Sequence, residues 1–280
     1  MNFYFELTGY IKQAGLIEAG VYNDTTLFFS DNLATTIDQS LFTGPWLYCE
    51  ELFFTPQVGQ RYFLETNGIT SKADLYLNGK ELASKNMVVG AYGGLKLDIT
   101  QYLTSGQNAL LVRAYPTNYL ADFALGFVDW NPYPPDNGTG LWREVTVSQT
   151  GSVSLLKPRV FTDYKGNTTN NVTATVNIVA LNSGKETVQG TLKGIVKELD
   201  GAFEGPVSAS YTLKANESKT ITLTATIDDP KVWWPKLWGE QPLYTLDIAA
   251  YVGSELSDSA EQRTFGIRYV TSAVSADKDV

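Results

Sequence analysis

Two stretches in which apolar and polar residues alternate restrict this chain more than any other feature. In residues 172–180 every second residue is apolar, and the residues between them are mostly Thr or Asn. Residues 221–227 repeat the pattern with Thr at every intervening position. Because successive side chains of a strand point to opposite faces, this period of two places one row in a core and the other in water. The pattern predicts antiparallel strands of a two-sheet sandwich.

Short strand patterns separated by turn residues fill most of the remaining chain. Further strands are expected at residues 48–54, 61–66, 108–115, 142–147, 188–196, 207–213 and 244–252. Asn78-Gly79 between residues 73–77 and 80–82 predicts a hairpin with a type I′ turn. Around residues 151–157 aromatic residues become rarer and Thr becomes common. The chain is therefore predicted to be all-β and built from two β-sandwiches, the second of immunoglobulin-like size.

Residues 129–143 form the stretch in which aromatic, acidic and backbone-restricting residues are most concentrated. They read Asp-Trp-Asn-Pro-Tyr-Pro-Pro-Asp-Asn-Gly-Thr-Gly-Leu-Trp-Arg. Three prolines exclude a central strand or a helix interior, so this is a loop. A stiff loop can hold aromatic and acidic side chains toward a ligand. The candidates are Asp129, Trp130, Tyr133 and Asp136; the structural alternative is that Trp130 and Tyr133 pack the loop onto its own sandwich.

Composition removes several classes of function. The chain has no histidine, which excludes Ser-His and Cys-His nucleophiles and His-ligated metal sites. We therefore expect no metal and no cofactor. The net charge of −9 argues against nucleic acid or an anionic membrane as a partner. Cys49 is the only cysteine and stands among hydrophobic neighbours, so we expect it to be a small core residue.

The first residues have neither a basic segment nor a long apolar segment, so they do not resemble a secretory signal. Five Asn-x-Ser/Thr sequons nevertheless occur, at Asn23, Asn137, Asn167, Asn171 and Asn216. Several would arise by chance in a chain this rich in Asn, Ser and Thr. We take them as a hint of an extracellular protein.

Several motifs, in order along the chain, resemble glycoside hydrolase family 2. Asp129-Trp130-Asn131-Pro132 followed by Gly140-Leu141-Trp142-Arg143-Glu144-Val145 is similar to the end of the sugar-binding domain of that family. Residues 233–244, with Trp-Trp-Pro and Gly-Glu-Gln-Pro-Leu-Tyr, and residues 265–268, Phe-Gly-Ile-Arg, are similar to the immunoglobulin-like domain that follows it. The Asp-Trp-Asn-Pro-x-Pro-Pro-Asp string is most similar to the exo-β-D-glucosaminidase (exo-chitosanase) branch.

The resemblance implies a domain order. Residues 1–154 would form a jelly-roll, galactose-binding-like domain, with or without its N-terminal strand. Residues 155–268 would form an immunoglobulin-like sandwich, and residues 269–280 a linker toward a catalytic barrel. Trp233, Trp234 and Trp238 would serve packing or an interface, and Arg143 would form an ion pair.

The resemblance also implies a function. The chain would be the non-catalytic N-terminal portion of an enzyme acting on terminal β-linked glucosamine or a related β-glycoside. The family's two catalytic glutamates lie in its barrel, so no catalytic residue is assigned here. Asp129, Trp130, Tyr133 and Asp136 would contact a carbohydrate of the chitosan type. The alternative is a free-standing carbohydrate-binding or structural β-sandwich protein without hydrolase activity.

Overall fold

The computed structural model describes residues 38–118, 120–122, 136–163 and 170–270. Its contacts divide the chain into two compact units, Met1–Gln149 and Thr150–Val280. We call them the first and the second domain. In the described residues, both are built almost entirely from β-strands, as the sequence predicts. None of the helices in these residues is long and apolar enough to cross a membrane.

The first domain begins, in its described part, with a 3-10 helix at Gln39–Phe42 and continues as nine strands. The strands are β1 (Trp46–Phe54), β2 (Arg61–Thr66), β3 (Ile69–Thr70), β4 (Lys72–Leu77), β5 (Lys80–Ala83), β6 (Leu95–Asp98), β7 (Gly106–Tyr115), β8 (Gly140–Leu141) and β9 (Val145–Thr150). They form one sheet in the order β1-β7-β4-β5, a second in the order β6-β2-β9, and a short pair of β3 with β8. Leu64, Leu75, Val112 and Leu141 are among the buried residues of the core between them.

The predicted hairpin is confirmed. Asn78 and Gly79 both have positive φ angles, 52° and 77°, and connect β4 to β5. Two positive φ angles define the type I′ turn that matches the twist of the flanking strands. Asn78 Nδ2 also donates to the carbonyl oxygen of Tyr102 at 2.9 Å. The turn is therefore tied to a second loop as well as to its own hairpin.

The prediction that Cys49 is a core residue is wrong, because its side chain is exposed. In β1, Tyr48 and Leu52 face inward and Cys49 lies on the opposite face together with Leu47 and Phe53. Apolar residues occupy both faces of this strand, so hydrophobic neighbours in sequence did not indicate which face is buried. Period-two geometry places Cys49 on the outer face.

The second domain contains nine described strands. They are β10 (Val153–Leu155), β11 (Arg159–Asp163), β12 (Asn171–Asn182), β13 (Val188–Glu198), β14 (Glu204–Leu213), β15 (Ser218–Asp228), β16 (Tyr244–Val252), β17 (Glu255–Ser259) and β18 (Arg263–Phe265). In one sheet β12 pairs with β10 and β11 along one edge and with β15 along the other; the second sheet has the order β14-β13-β16-β17, with β18 also on β16. The predicted alternation is confirmed, because Val172, Ala174, Val176 and Ile178 are buried.

This arrangement is an immunoglobulin-like sandwich with one difference from antibody constant domains. There the fourth strand belongs to the sheet of the first, second and fifth strands. Here β14 pairs with β13 and so extends the opposite sheet. Tyr244 at the start of β16 forms a tyrosine corner, because its hydroxyl accepts a hydrogen bond from the Lys231 amide at 2.9 Å.

The first residues of the second domain, from Thr150 onward, are held by bonds to β17. The Gly151 amide donates to the Ser257 carbonyl oxygen at 2.6 Å, and the Val153 amide donates to Ser257 Oγ at 2.9 Å. The Leu155 amide donates to Asp258 Oδ2 at 2.7 Å. These bonds attach Gly151 and β10 to β17, while the same residues of β10 pair with β12.

Candidate functional site

Residues 129–135 of the loop predicted from sequence lie outside the described residues, whereas residues 136–143 are described. Asp129, Trp130 and Tyr133 belong to the part outside the described residues. Asp136 is described, as are the segments on either side, which end at residue 122 and begin again at residue 136. The site is therefore defined by the two ends of the loop and by what holds them.

Asp136 begins a tight turn. Its backbone carbonyl accepts from the Thr139 amide at 2.9 Å, and its Oδ1 accepts from the Gly138 amide at 2.9 Å. Asn137 and Gly138 have φ angles of 51° and 66°, so this is a second type I′ turn, formed by the Asn-Gly pair. Asp136 is only 5% exposed. Its carboxylate therefore supports the turn, and a direct contact with sugar stays a prediction.

Tyr48 on β1 lies near Asp136. Burial raises the pKa of the Tyr48 hydroxyl to about 12, the negative charge of Asp136 adds to the rise, and a hydrogen bond with the Leu141 backbone opposes it. A phenol with this pKa stays protonated at neutral pH, so Tyr48 can donate a hydrogen bond but cannot act as a base. Tyr48 thus connects the first sheet to the end of the loop.

Two threonines join the loop's departure to its return. The Thr117 amide donates to Thr139 Oγ1 at 2.9 Å, and Thr139 Oγ1 donates to Thr117 Oγ1 at 3.0 Å. Both residues are buried. Asn137 Nδ2 also donates to the Thr117 carbonyl oxygen at 3.3 Å. Residues 117 and 139 are therefore held together, so the segment between them leaves from and returns to one fixed place.

The expected strand at residues 142–147 is wrong in its first half, because β8 ends at Leu141 and β9 begins at Val145. Trp142 turns inward instead, and its indole Nε1 donates to the Ala91 carbonyl oxygen at 2.6 Å. A side chain at Gly68 would come within 2.6 Å of the same indole nitrogen. The backbone breaks from the strand because this large ring is packed between two other loops.

Arg143 makes no ion pair among the described residues. Its guanidinium lies 4.2 Å from the centroid of the Trp142 ring and 5.6 Å from that of Tyr92. The two rings meet edge to face, with centroids 5.2 Å apart. The Trp-Arg pair is a cation–π stack that closes this end of the domain, which is a structural role.

The structure brings together a cluster of charged residues that sequence reasoning missed. Tyr115 donates to Asp74 Oδ2 at 2.5 Å, and the Lys85 amide donates to Asp74 Oδ1 at 2.7 Å. Lys72 forms an ion pair with Asp122 at 2.6 Å, beside the start of the loop. Lys72 and Asp74 share a face of β4, and the register places them opposite Tyr115 and Arg113 of β7. Only the pairing register of β4 with β7 could have indicated that these charged residues lie together.

Both carboxyl groups of this cluster have a lowered pKa. Burial raises the pKa of Asp74, but hydrogen bonds from Tyr115 and the Lys85 amide, with the charges of Arg113 and Lys85, outweigh it. For Asp122 the effect of burial is likewise outweighed by hydrogen bonds from Lys72, the Asn118 amide and Ser71. Such groups are ionised at neutral pH and cannot serve as a general acid, which needs a raised pKa. In the described residues, no group of three or more potential ligands is arranged to hold a metal ion.

A second surface lies in the second domain, on the Trp-rich turn at residues 233–241. The Trp234 amide donates to the Glu240 carbonyl oxygen, and Gln241 Nε2 donates to the carbonyl oxygens of Trp234 and Gly239 at 2.9 and 2.7 Å. This rigid turn leaves Leu237 93% and Trp238 76% exposed. Trp233 is only half-buried and lies beneath the Arg268 guanidinium, 5.3 Å from its ring centroid.

Comparison with known proteins identifies two family models along the chain. "Glycosyl hydrolase 2 galactose-binding domain-like" matches residues 9–122, and "Glycosyl hydrolases family 2" matches residues 155–268. The chain is 49% identical to an exo-β-D-glucosaminidase of Arthroderma benhamiae over 94% of its own length and 30% of that protein. It is 44% identical to the Hypocrea jecorina exo-β-D-glucosaminidase over 94% of its length and 29% of that protein.

A solved structure agrees with these relatives. The crystal structure of the Amycolatopsis orientalis exo-chitosanase CsxA superposes with a TM-score of 0.83 at 34% identity, covering 94% of this chain and 30% of that one. This likeness agrees with the prediction of a galactose-binding-like sandwich followed by an immunoglobulin-like one. The chain spans about 30% of the length of the relatives it matches.

Proposed function

Because this chain belongs to glycosyl hydrolase family 2, we propose that it is the non-catalytic N-terminal portion of an enzyme that removes terminal β-linked glucosamine. One observation carries the proposal: the 49% identity to an exo-β-D-glucosaminidase extends over 94% of this chain and therefore through both domains. The related enzymes are about three times as long as the segment they share with this chain. The rest of such an enzyme would supply the chemistry.

The loop of the first domain supplies part of the sugar pocket. Trp130 and Tyr133 would offer aromatic faces to a pyranose ring, and the Asp129 carboxylate would accept hydrogen bonds from the glucosamine ammonium. Support comes from the ends of the loop, which the Thr117–Thr139 pair and the turn at Asp136 hold at a fixed place on the domain. A loop with anchored ends orders its aromatic and acidic groups at a lower entropic cost on binding.

The hydrolytic step is carried out by a catalytic barrel outside these two domains. A retaining glycosidase uses one carboxyl group as nucleophile and one with a raised pKa as general acid, about 5 Å apart. Asp74 and Asp122 would not serve as that acid, because their pKa values are lowered. Glutamates of the barrel would therefore act as nucleophile and acid.

The Trp-rich turn of the second domain is the contact surface for that barrel. Exposed Trp residues on a rigid turn are typical of the centre of a protein interface. Trp234, Leu237 and Trp238 would be covered in the longer protein. Replacing Trp238 by Ser in that protein should increase hydrogen exchange in the turn and lower the melting temperature of the barrel; unchanged values would refute the contact.

We also infer that the protein is extracellular. Two of its sequons, Asn171 and Asn216, are exposed, whereas the Asn137 side chain is committed to its hydrogen bond with Thr117. Secretion from a eukaryotic host should therefore yield glycans at Asn171 and Asn216 but not at Asn137. Mass spectrometry that finds all of these sites unmodified in the native protein would contradict the inference.

The decisive experiment compares two substrates in the longer protein that contains this chain and the barrel. Asp129→Asn should lower kcat/KM for a β-glucosaminide by roughly 10- to 100-fold, because it removes a charge-assisted hydrogen bond worth about 1.5–3 kcal/mol. The matched β-glucoside has a hydroxyl in place of the ammonium and should lose much less. Trp130→Ala should lower kcat/KM for both substrates by about tenfold.

Glu144→Gln is the matched control, because Glu144 is an exposed carboxylate at the same end of the domain. It should leave both rates unchanged. Equal losses on the two substrates after Asp129→Asn would remove Asp129 as the partner of the ammonium. Faster hydrolysis of the glucoside than of the glucosaminide by the unmodified enzyme would refute the substrate assignment itself.

A further inference from the structure

The first domain has a cavity of about 270 Å³ that the proposed function does not use. It lies where the end of β1, the start of β2 and the end of β9 meet, and its lining includes Phe53, Phe54, Gln57, Tyr62, Ser148 and Gln149. We propose that this cavity binds a neutral pyranose ring, as a second sugar site separate from the loop at 129–143. The choice of a sugar as ligand rests on the proposed function; the neutral, partly aromatic character of the site does not.

The position of the cavity separates it from the first site. Tyr48, which lies near Asp136, is six residues before Phe54 on the same strand. At about 3.3 Å per residue, those positions are roughly 20 Å apart. A sugar in the cavity would therefore occupy the opposite end of β1, and a polymer would have to extend by several rings to reach both places.

The apolar part of the cavity offers aromatic surface. The Phe54 and Tyr62 rings meet edge to face with centroids 5.9 Å apart, which fixes their orientation. Val147 is buried and adds apolar surface to the lining. The Phe53 side chain is 65% exposed beside them. Aromatic surface that is already ordered suits the apolar face of a pyranose, because little side-chain entropy is lost on binding.

The polar part of the described lining consists of neutral side-chain amides and hydroxyls. The Gln57 amide N–H donates to the Tyr62 hydroxyl at 3.1 Å, which fixes the backbone at the rim. The side chains of Gln149 and Gln57 are joined by one long hydrogen bond of 3.4 Å, from Nε2 to Oε1. Each Gln side chain has two donors and an acceptor, so this single bond leaves most of their capacity for sugar hydroxyls or an acetamido group.

Among the described residues, those that line the cavity include no Asp, Glu, Lys or Arg. Glu65 is the carboxylate behind Ser148, and it already accepts from Ser148 Oγ at 2.7 Å and forms an ion pair with Lys96 at 3.1 Å. An ammonium entering the cavity would lose water without gaining a counter-charge, which is costly. The cavity therefore favours a neutral ring such as N-acetylglucosamine over glucosamine, the reverse of the preference proposed for the loop.

The test is a titration of the 280-residue chain with the fully N-acetylated glucosamine tetramer and, separately, with the free-amine tetramer, followed by NMR. We expect the acetylated tetramer to bind with a millimolar or lower Kd and to shift the amide signals of Gln57 and Gln149. Phe53→Ala and Gln57→Ala should each weaken that binding at least fivefold. Phe161→Ala, the same change at a 55% exposed Phe in the second domain, is the control and should not.

Three outcomes would overturn the proposal. They are no binding of the acetylated tetramer, binding that Phe53→Ala leaves unchanged, and equal or tighter binding of the free-amine tetramer in the cavity. Loss of binding after Trp130→Ala without any effect of Phe53→Ala would place the sugar on the loop instead. The titration measures binding, whereas the proposed function is tested by hydrolysis in the longer enzyme. The two proposals can therefore fail independently.

Discussion

The two sandwiches achieve their stability by different means. In the second domain β12 to β16 are 9 to 12 residues long, and a single apolar row on each strand faces the core. In the first domain only β1 and β7 reach 9 or 10 residues, whereas the other described strands have two to six. Buried polar residues join its loops instead.

Asn108 is the clearest example in the first domain. Its Oδ1 accepts from Asn78 Nδ2 at 2.8 Å and from the Thr104 amide at 2.8 Å, and its Nδ2 donates to the Thr104 and Gly106 carbonyl oxygens. Asp74, Thr117 and Thr139 are buried and bonded in a similar way. Long regular strands give a stable scaffold, whereas short strands free more of the chain for loops that hold a site. The proposed sugar contacts lie in the domain of the second kind.

The largest effect should come from removing core volume in the second domain. Leu246 is fully buried in β16, and Leu246→Ala should lower the free energy of unfolding of that domain by about 3 kcal/mol, through lost burial and a cavity. Denaturant titration with hydrogen exchange read separately on β16 and β7 would measure it. Thr224→Ala, on the solvent face of β15, is the control and should change stability by less than about 0.5 kcal/mol. A loss below 1 kcal/mol for Leu246→Ala would refute the picture of a packed regular core.

The alternation that places Leu246 and its neighbours in the core could be predicted from sequence, because half-burial of a strand is a local, period-two property. The Asn78-Gly79 turn was predictable for the same reason, since two adjacent residues determine it. The exposure of Cys49 was not predictable, because β1 has apolar residues on both faces and the partner strands determine which face is buried. The inward position of the Trp142 side chain was not predictable either, because the carbonyl group that accepts from its indole lies 51 residues earlier, at Ala91.

In the candidate site, too, local features could be predicted from sequence and long-range contacts could not. The turn at Asp136 follows from its Asn-Gly pair, but its burial and its proximity to Tyr48 depend on the fold. The Asp74–Tyr115 bond joins residues 41 positions apart, and only the register of β4 and β7 brings them together. Asp129, Trp130 and Tyr133 stay predictions, made from the composition of the loop and its resemblance to the family.

A second test asks whether buried polar residues matter more in the first domain. Asn108→Ala should destabilise that domain by about 2 kcal/mol, because several backbone groups lose their partner in a buried place. The comparison is Asn182→Ala in the second domain, where Asn182 Nδ2 donates to the Glu186, Leu213 and Lys214 carbonyl oxygens. A much larger loss at Asn182 than at Asn108, read by the same hydrogen-exchange probes, would break the contrast between the domains.

The smallest effect concerns acid pH. The described carboxyl groups with lowered pKa are Asp38, Asp74 and Asp122, all in the first domain. A carboxyl whose pKa is lower folded than unfolded stabilises the fold above its unfolded value of about 3.9, and this contribution is lost as pH falls through the folded pKa. The first domain should therefore lose stability below about pH 4.

Asp74→Asn should flatten this dependence, because it removes the charge and keeps the volume. Asp228→Asn, an exposed change in the second domain, should not. Thermal unfolding between pH 3 and pH 6 with domain-specific probes would measure both. An acid transition of the first domain that is unaltered in Asp74→Asn would show that the carboxylate cluster does not cause it.

The exposed position of Cys49 has a practical consequence for all of these measurements. It is the chain's only thiol, and it lies on the outer face of β1 in the first domain. A thiol-reactive fluorophore or spin label would therefore attach at one known place, without any engineered cysteine. Such a label would report selectively on the first domain, at a position next to Tyr48 on β1 and four residues before Phe53 of the cavity. It would convert a mispredicted residue into a built-in spectroscopic reporter.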